Sequence, residues 1–283
     1  MAERFMVSTD SSGVLGIPRH WKEVWEPAIE HKNFAGFEAI SWIWICGLLE
    51  KADKEGIKIG GFHGKTGNNL CSSSRSDRLL TGIVNSMLMT TDNLFHNFGN
   101  NGGYVLIHEP ETRKHANALG KNRRVINDLR IENHPDPGSL ERTYEVVREL
   151  RENGINAGLM VDLFHLFNEF IKMGNNDRPK VIWSKVRKSV GNLLDVIDSK
   201  NDPVPVSFHV PVGLNKNDSL PTTLLTREVF RDIARMTDRK GTFVVLENQQ
   251  GGLNMIITTE KSRKRQRDRN EELLNLLVKH SVI

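Results

Sequence analysis

Short apolar runs alternate with longer amphipathic stretches along the chain, and one segment shows the pattern clearly. The run Leu-Arg-Ile-Glu ends at Glu132, and the run Leu-Met-Val-Asp ends at Asp162. Between them, apolar residues recur at helical spacing over 140–150, and Gly154 follows where a helix would end. This spacing predicts a strand, a helix and a second strand, with a carboxylate closing each strand.

The same alternation recurs along the whole chain. Apolar runs predict eight strands, at 4–8, 34–38, 57–63, 104–108, 129–132, 159–162, 205–209 and 242–247. The remaining stretches predict helices at 20–31, 40–55, 73–98, 112–120, 140–153, 167–199 (broken near 174–179), 226–238 and 262–280. Such alternation implies a parallel sheet, and eight units in 283 residues predict an α/β fold, a single (β/α)8 TIM-barrel domain spanning 1–283. A doubly wound open sheet is the alternative, but it would bind its ligand at one switch point.

Most of the predicted strands end on a side chain that can bind a metal ion. These residues are His63, His108, Glu132, Asp162, His209 and Glu247. In a closed barrel, the carboxyl ends of all strands meet at one mouth, where active sites lie. Hard or borderline divalent cations bind carboxylate oxygens together with one or two imidazoles. The set of Glu132, Asp162, His209 and Glu247 therefore predicts a site for one divalent cation, Mn²⁺, Mg²⁺, Co²⁺, Fe²⁺ or Zn²⁺.

Other polar residues near the strand ends have more than one interpretation. His63 and His108 are structural histidines or substrate contacts as readily as metal ligands. His165 follows Asp162 by three residues, close enough to hold substrate or a second metal. Glu38 closes the second predicted strand, and either reaches the mouth or pairs with a cation on a helix. Asn133 is a further candidate for contact with substrate.

Composition places the chain among ordinary globular proteins. Apolar residues make up 38% and charged residues 26%, and the net charge of +4 fits a phosphate-bearing or nucleic-acid partner without requiring one. The two cysteines cannot form a disulfide framework, so a reducing interior is expected. The amino terminus lacks the order of a signal peptide, and the apolar run at 39–49 is too short to span a bilayer. A cytoplasmic protein without membrane contact is predicted, and the basic run at 261–269 is expected to be a solvated outer face.

Four segments carry a resemblance to a known family. They are RIEN at 130–133, VDLFHLFNE at 161–169, SFHV at 207–210 and the VLEN segment that ends at Asn248. With the order and spacing of the whole chain, these segments resemble the xylose-isomerase-like barrel superfamily. That superfamily holds sugar isomerases and epimerases, and also the endonuclease IV group of apurinic-site nucleases.

The tagatose- and psicose-epimerase branch of that superfamily resembles this chain best. In that branch a Glu, an Asp, a His and a Glu bind one metal, which implies these roles for Glu132, Asp162, His209 and Glu247. A carbohydrate or polyol substrate is implied, with His165 binding it and Glu132 and Glu247 moving a proton through a metal-stabilised enediolate. His63, His108, Asn133 and Lys216 are the further expected substrate contacts. The branch usually has an arginine a few residues after the strand-seven histidine, whereas this chain has Lys216 nearby and no arginine before Arg227. Barrels of this kind often pair through their outer helices, so a homo-oligomer is possible.

The nuclease branch supplies the alternative function, apurinic-site DNA cleavage with two or three metals. His108 fits a ligand position of that branch. The loop after His63 contains no second histidine, however, and the loop after His209 offers Asp218 but no Asp-x-His pair. The sequence therefore favours one cation and a small-molecule substrate, and a nucleic-acid partner follows only from the alternative.

Overall fold

The computed structural model describes a large part of the chain. The described residues are 5–8, 21–40, 54, 56, 58–63, 104–108, 128–174, 177–199, 204–211, 226–239, 241–247 and 260–283. The strands are β1 (Phe5–Ser8), β2 (Phe34–Ile40), β3 (Ile59–His63), β4 (Tyr104–His108), β5 (Leu129–Glu132), β6 (Ala157–Asp162), β7 (Val206–Pro211) and β8 (Val244–Glu247). The helices are α1 (Trp21–Ile29), α2 (Ser139–Glu152), α3 (Leu163–Met173), α4 (Pro179–Ser199), α5 (Arg227–Thr237) and α6 (Glu260–Lys279).

All the strand pairs are parallel and follow chain order. Each strand pairs with the next, and β1 also pairs with β8, so the sheet closes into a barrel. The register places His108 beside Glu132 and Asp162 beside His209. Because all strands run the same way, their carboxyl ends gather at one mouth of the barrel.

Successive residues of each strand face opposite sides of the sheet. The inner side forms a small apolar cluster of Met6, Ala35, Tyr104, Leu106, Met160 and Val245. The outer side belongs to a larger cluster with the helices, which includes Phe37, Ile131, Val161, Phe208 and Leu246. The last inward position of a strand therefore falls at the mouth, where the inner apolar cluster gives way to polar side chains.

One irregularity interrupts this alternation in β2. Phe5 pairs with Phe34 but Met6 pairs with Gly36, so β2 has one extra residue at this point. Gly36 has a φ of 134°, and a Cβ there would lie 2.7 Å from the carbonyl oxygen of Lys58. A bulge of this kind suits glycine because other residues rarely adopt a positive φ. Beyond it, Phe37 packs outward and Glu38 is fully buried on the inner side.

The structure confirms a parallel α/β fold of the TIM-barrel type with all eight predicted strands. Several boundaries differ from prediction by a few residues; among them, β2 extends to Ile40 and α3 begins at Leu163, directly after β6. The helices predicted at 40–55, 73–98 and 112–120 lie outside the described residues, except for Ile40, which ends β2, and position 54. Among the described helices, none is long and apolar enough to cross a membrane. The assignment of 1–283 to one domain stays a prediction.

The basic run at 261–269 has two environments. Arg263 and Arg267 pair with Glu23 and Glu26 of α1, with nitrogen–oxygen distances of 2.9 and 2.6 Å. Lys261 and Lys264 are exposed, as expected for a solvated face. Part of the run therefore joins the first helix to the last, and part faces solvent.

Replacing Gly61 with alanine is expected to destabilise the barrel. An added Cβ would lie 2.6 Å from Cζ of the buried Tyr104 ring, so the ring would have to move. Overpacking of this kind costs about 1–3 kcal/mol, measured as the free energy of unfolding in urea. Gly191 of α4 is the control, since a Cβ there meets nothing within 4 Å and alanine favours the helix by about 0.5–1 kcal/mol. Equal effects of both substitutions on stability would contradict this packing argument.

Candidate metal centre

The mouth of the barrel holds a buried cluster of carboxylates and imidazoles. Its members are Glu38, His63, His108, Glu132, Asp162, His165, His209 and Glu247, and all but His165 close or nearly close a strand. The four carboxylates are at most 5% exposed. Burying that many ionisable groups is unfavourable unless each is paired with an opposite charge, a hydrogen bond or a metal ion.

His209 lies at the centre of the cluster and is fully buried. Its Nδ1 lies 2.9 Å from Oε1 of Glu132 and 3.3 Å from Oε1 of Glu247. Oδ2 of Asp162 is 4.0 Å from the same nitrogen. The three carboxylates predicted to bind one cation together with His209 therefore surround its Nδ1.

Glu132 also contacts two further histidines through its other oxygen. Oε2 lies 3.3 Å from Nε2 of His63 and 3.1 Å from Nε2 of His108. The two oxygens of one carboxylate thus face different imidazoles. This is the position of a carboxylate that can be shared between two cations.

Asp162 is also the residue directly before the first residue of α3. Its Oδ1 accepts hydrogen bonds from the backbone N–H groups of Phe164 and His165, at 2.6 and 2.9 Å. These groups have no partner within the helix, so Asp162 caps α3 and stabilises its start. Oδ2 remains directed toward His209, and toward Nε2 of His165 at 3.8 Å.

Asn133 and His165 support this arrangement through the backbone. The Asn133 side chain accepts from the Asp162 backbone N–H at 2.8 Å and donates to the Asp162 carbonyl at 3.3 Å. Nδ1 of His165 donates to the Asn133 carbonyl oxygen, 2.7 Å away. Nε2 of His165 faces the cluster; burial lowers the pKa of this imidazole, but Asp162 and Glu132 outweigh burial and raise it. Nε2 must therefore lose a proton before it can bind a cation.

Glu38 lies on the side of the cluster that faces the barrel interior. Its Oε2 lies 3.2 Å from Nε2 of His209 and accepts a hydrogen bond of 2.5 Å from the Tyr104 hydroxyl. The sequence left open whether Glu38 reaches the mouth or pairs with a cation on a helix, and in the structure it faces the mouth. Tyr104 was not predicted as part of the site. The only sequence feature that points to Tyr104 is strand alternation, which places it on the same side of β4 as His108.

The charges of this cluster displace the pKa values of its members. Burial disfavours the ionised form of Glu132, but His108, His209 and His63 outweigh it and hold its pKa well below the ordinary value. Burial, with the charges of Asp162 and Glu132, raises the pKa of Glu247 to about 8 against the opposing effect of His209. Two carboxyl groups beside the same imidazole therefore differ in protonation at neutral pH.

The pKa values of the histidines are also displaced in opposite directions. Burial lowers the pKa of an imidazole, yet Glu132 and Glu38 raise that of His63 to about 9. Burial prevails at His108 and lowers its pKa to about 3, despite the charge of Glu132. For His209, burial is outweighed by Glu247, Glu38 and Glu132, and its pKa lies well above the ordinary value. Without a cation, protons occupy several atoms that a metal ion would bind.

The donor atoms form three groups that could each hold a metal ion. Within each group they lie within 4.8 Å of one another: Glu38, His63, His209 and Glu247; His63, His108 and Glu132; and Glu132, Asp162 and His165. Carboxylate oxygens with one or two imidazoles suit Mn²⁺, Co²⁺, Fe²⁺ and Zn²⁺. The described residues therefore fit a divalent cation, and they offer donors for more than the single cation favoured by the sequence.

The structure thus brings most of the predicted site residues together. Glu132, Asp162, His209 and Glu247 meet as expected, and His63, His108 and His165 lie within the same cluster. Asn133 uses its side chain on the backbone of Asp162, so it positions a carboxylate. Lys216 and Asp218 lie outside the described residues.

Comparisons with known proteins add little to this picture. No protein-family model matches the chain, and no curated protein matches it. A candidate fructose-1,6-biphosphate aldolase from Coccidioides immitis is similar over 94% of this chain and 99% of its own, with 10% identity and a TM-score of 0.38. Native anSMEcpe with bound AdoMet is similar over 86% of this chain and 63% of its own, with 10% identity and a TM-score of 0.33. Likenesses this weak carry no inference about activity.

Proposed function

We propose that the protein is a divalent-cation-dependent isomerase or epimerase of a carbohydrate or polyol. The observation that carries the proposal is the pair of Glu132 and Glu247. Both carboxyl groups lie within 3.3 Å of Nδ1 of His209, and their pKa values are displaced in opposite directions. Such a pair is suited to take a proton from one place and return it to another.

The roles of the two groups follow from their environments. Glu132 is ionised and can accept a proton from a carbon next to a carbonyl group. Glu247, whose pKa is raised to about 8 in the absence of a cation, has the higher proton affinity of the two and can return the proton. A bound cation would be held by Asp162 and His209 with the two glutamates, and it would polarise the carbonyl and hydroxyl oxygens of the substrate.

The order of the site residues supports the same proposal. Glu, Asp, His and Glu lie at or near the carboxyl ends of β5, β6, β7 and β8, and the three carboxylates surround Nδ1 of the histidine. This is the order in which the tagatose- and psicose-epimerase branch of the xylose-isomerase-like superfamily binds its metal. We therefore place the chain in that branch as part of the proposal.

Exchange of substrate hydrogen with solvent tests the proposal directly. In D₂O, protein loaded with Mn²⁺ or Co²⁺ is expected to exchange a C–H next to the carbonyl of a ketose, an aldose or one of their phosphates, followed by NMR. Glu132→Gln and Glu247→Gln should each slow this exchange by about 10²–10⁴-fold, because each removes a proton carrier. Glu169→Gln is the control, since Glu169 is buried outside the cluster and accepts from the Gly138 backbone N–H at 2.8 Å. Full exchange by both site variants would contradict the proposal.

A second candidate, cleavage of a phosphodiester at an apurinic site, is favoured by one observation. Oε2 of Glu132 faces His63 and His108, so a second cation could share this carboxylate. Two cations bridged by a carboxylate stabilise the attacking and leaving oxygens of a phosphoryl reaction.

Metal content and a nicking assay separate the two candidates. About one equivalent of cation per chain, with sugar C–H exchange and no nicking of abasic duplex DNA, would support the isomerase. Two or more equivalents together with metal-dependent nicking would instead establish the nuclease. His108→Gln is the informative variant, because it should reduce nicking while leaving the donors around His209 in place.

A further inference from the structure

Glu38 and Tyr104 lie beneath the predicted cation ligands without being among them. Glu38 is fully buried, Tyr104 is 1% exposed, and both side chains point into the barrel interior. The Glu38 carboxylate contacts Nε2 of His209, whereas the predicted ligands contact Nδ1 of the same ring. His209 therefore has a carboxylate on each of its two ring nitrogens.

The two ring nitrogens of a neutral imidazole cannot both be donors. A metal-binding histidine uses one nitrogen as a ligand and donates the hydrogen on the other, often to a carboxylate that fixes its orientation. Nδ1 of His209 faces Glu132, Glu247 and Asp162, where a cation would lie. Nε2 faces Glu38 alone among these carboxylates, and so it is the nitrogen that keeps its hydrogen.

Tyr104 and Gly61 hold the Glu38 carboxylate in place. The Tyr104 hydroxyl donates to Oε2 of Glu38, the same oxygen that faces Nε2 of His209. The Tyr104 ring occupies the space left by the missing side chain of Gly61. The His63 ring stacks on His209 with centroids 5.5 Å apart and planes 17° from parallel, which holds the imidazole plane as well.

We propose that Glu38, oriented by Tyr104, is a positioning residue for the cation site. It accepts the Nε2–H hydrogen bond of His209, which leaves Nδ1 as the ligand atom directed at Glu132, Glu247 and Asp162. The inference rests on the cation site of the proposed function, and it holds whichever substrate the enzyme takes.

The competing role for Glu38 is direct ligation of a cation through Oε1, which has no hydrogen-bond partner among the described residues. The two roles differ in what Tyr104 does. A positioning carboxylate needs the Tyr104 hydroxyl, because that hydrogen bond fixes Oε2. A carboxylate that ligates through Oε1 would keep most of its affinity without it.

Cation affinity, measured by competition with a chromophoric chelator, provides the first test. Glu38→Gln is expected to weaken binding of Zn²⁺ or Co²⁺ by about 10–100-fold with unchanged stoichiometry. Tyr104→Phe should weaken it by about fivefold, the effect of losing one supporting hydrogen bond. Glu169→Gln and Tyr144→Phe are matched controls, since each changes a buried side chain of the same type away from His209, and both should bind as wild type. All variants are compared by circular dichroism and thermal unfolding.

The tautomer of His209 provides a second test that does not depend on activity. In Zn²⁺-loaded protein, long-range ¹H–¹⁵N spectra should show His209 protonated at Nε2 and metal-bound at Nδ1, with the signals assigned by their loss in His209→Asn. Protonation at Nδ1 would overturn the proposal, as would wild-type affinity in Glu38→Gln. Loss of an equivalent of cation in Glu38→Gln, with no effect of Tyr104→Phe, would establish direct ligation instead. A wild-type protein that binds no divalent cation would contradict the proposed function as well.

Discussion

Replacing Glu132 with glutamine is expected to lower the affinity for Mn²⁺ or Zn²⁺ by about 100-fold or more. Oε1 of Glu132 contacts His209 and Oε2 contacts His63 and His108, so Glu132 offers a donor both beside His209 and beside His63 and His108. Glutamine keeps the shape but loses the charge and replaces one oxygen with a donor. Removing one partner of a buried charged cluster costs about 3–5 kcal/mol, which is the basis of the expected loss of affinity.

Metal analysis after dialysis, together with chelator competition, measures this effect. Glu247→Gln is the matched comparison, because Glu247 lies near His209 and is not grouped with His108. It should weaken binding at the His209 position and leave the position at His63 and His108 occupied if two cations bind. Glu169→Gln should bind as wild type. Undiminished cation content in Glu132→Gln would rule out the centre as described.

Cation affinity is expected to rise steeply with pH, and this is the second large effect. The pKa of Glu247 is raised to about 8 and that of His209 lies well above its ordinary value, so both of these predicted ligands carry a proton at pH 7 in the absence of metal. Each must lose it before its donor atom can bind a cation. Release of two protons makes the affinity increase by about 100-fold per pH unit below pH 8, and by about tenfold per unit above pH 8 for as long as His209 remains protonated. The pKa of His63, raised to about 9, adds to the pH dependence of any cation bound at His63 and His108.

Titration calorimetry in buffers with different ionisation enthalpies counts the released protons. Wild-type protein at pH 7 should release about two or more, and Glu247→Gln should release about one fewer, because glutamine does not titrate. Mn²⁺ suits this measurement because it stays soluble across the range. Binding that is independent of pH and of buffer would show that the donors are already free of protons.

Much of the site could be predicted because its residues occupy equivalent places in a repeated unit. Glu132, Asp162, His209 and Glu247 each end an apolar run, and parallel strands bring such ends to one mouth. Neither their mutual distances nor the protonation of each group follows from a single strand. Those properties depend on register around the barrel and on burial, which involve residues far apart in sequence.

Glu38 and Tyr104 show where the sequence argument is insufficient. Counting alternate positions from Ala35, which faces inward, would place Glu38 on the outer side of β2. The extra residue at Gly36 reverses the alternation and turns Glu38 inward. The local sequence pattern does not predict a bulge, because a glycine within a strand is compatible with several backbone conformations. The hydrogen bond between Tyr104 and Glu38 joins residues 66 positions apart, beyond the reach of periodicity.

The cap that Asp162 provides for α3 limits how a cation bound in this cluster could be coordinated. Many carboxylate-rich centres change coordination number by switching a ligand between one-oxygen and two-oxygen binding. Oδ1 of Asp162 is held by two backbone N–H groups, so recruiting it as a ligand would open the first turn of the helix. Asp162 would therefore bind a cation through one oxygen only, and any such carboxylate shift would fall to Glu132 or Glu247.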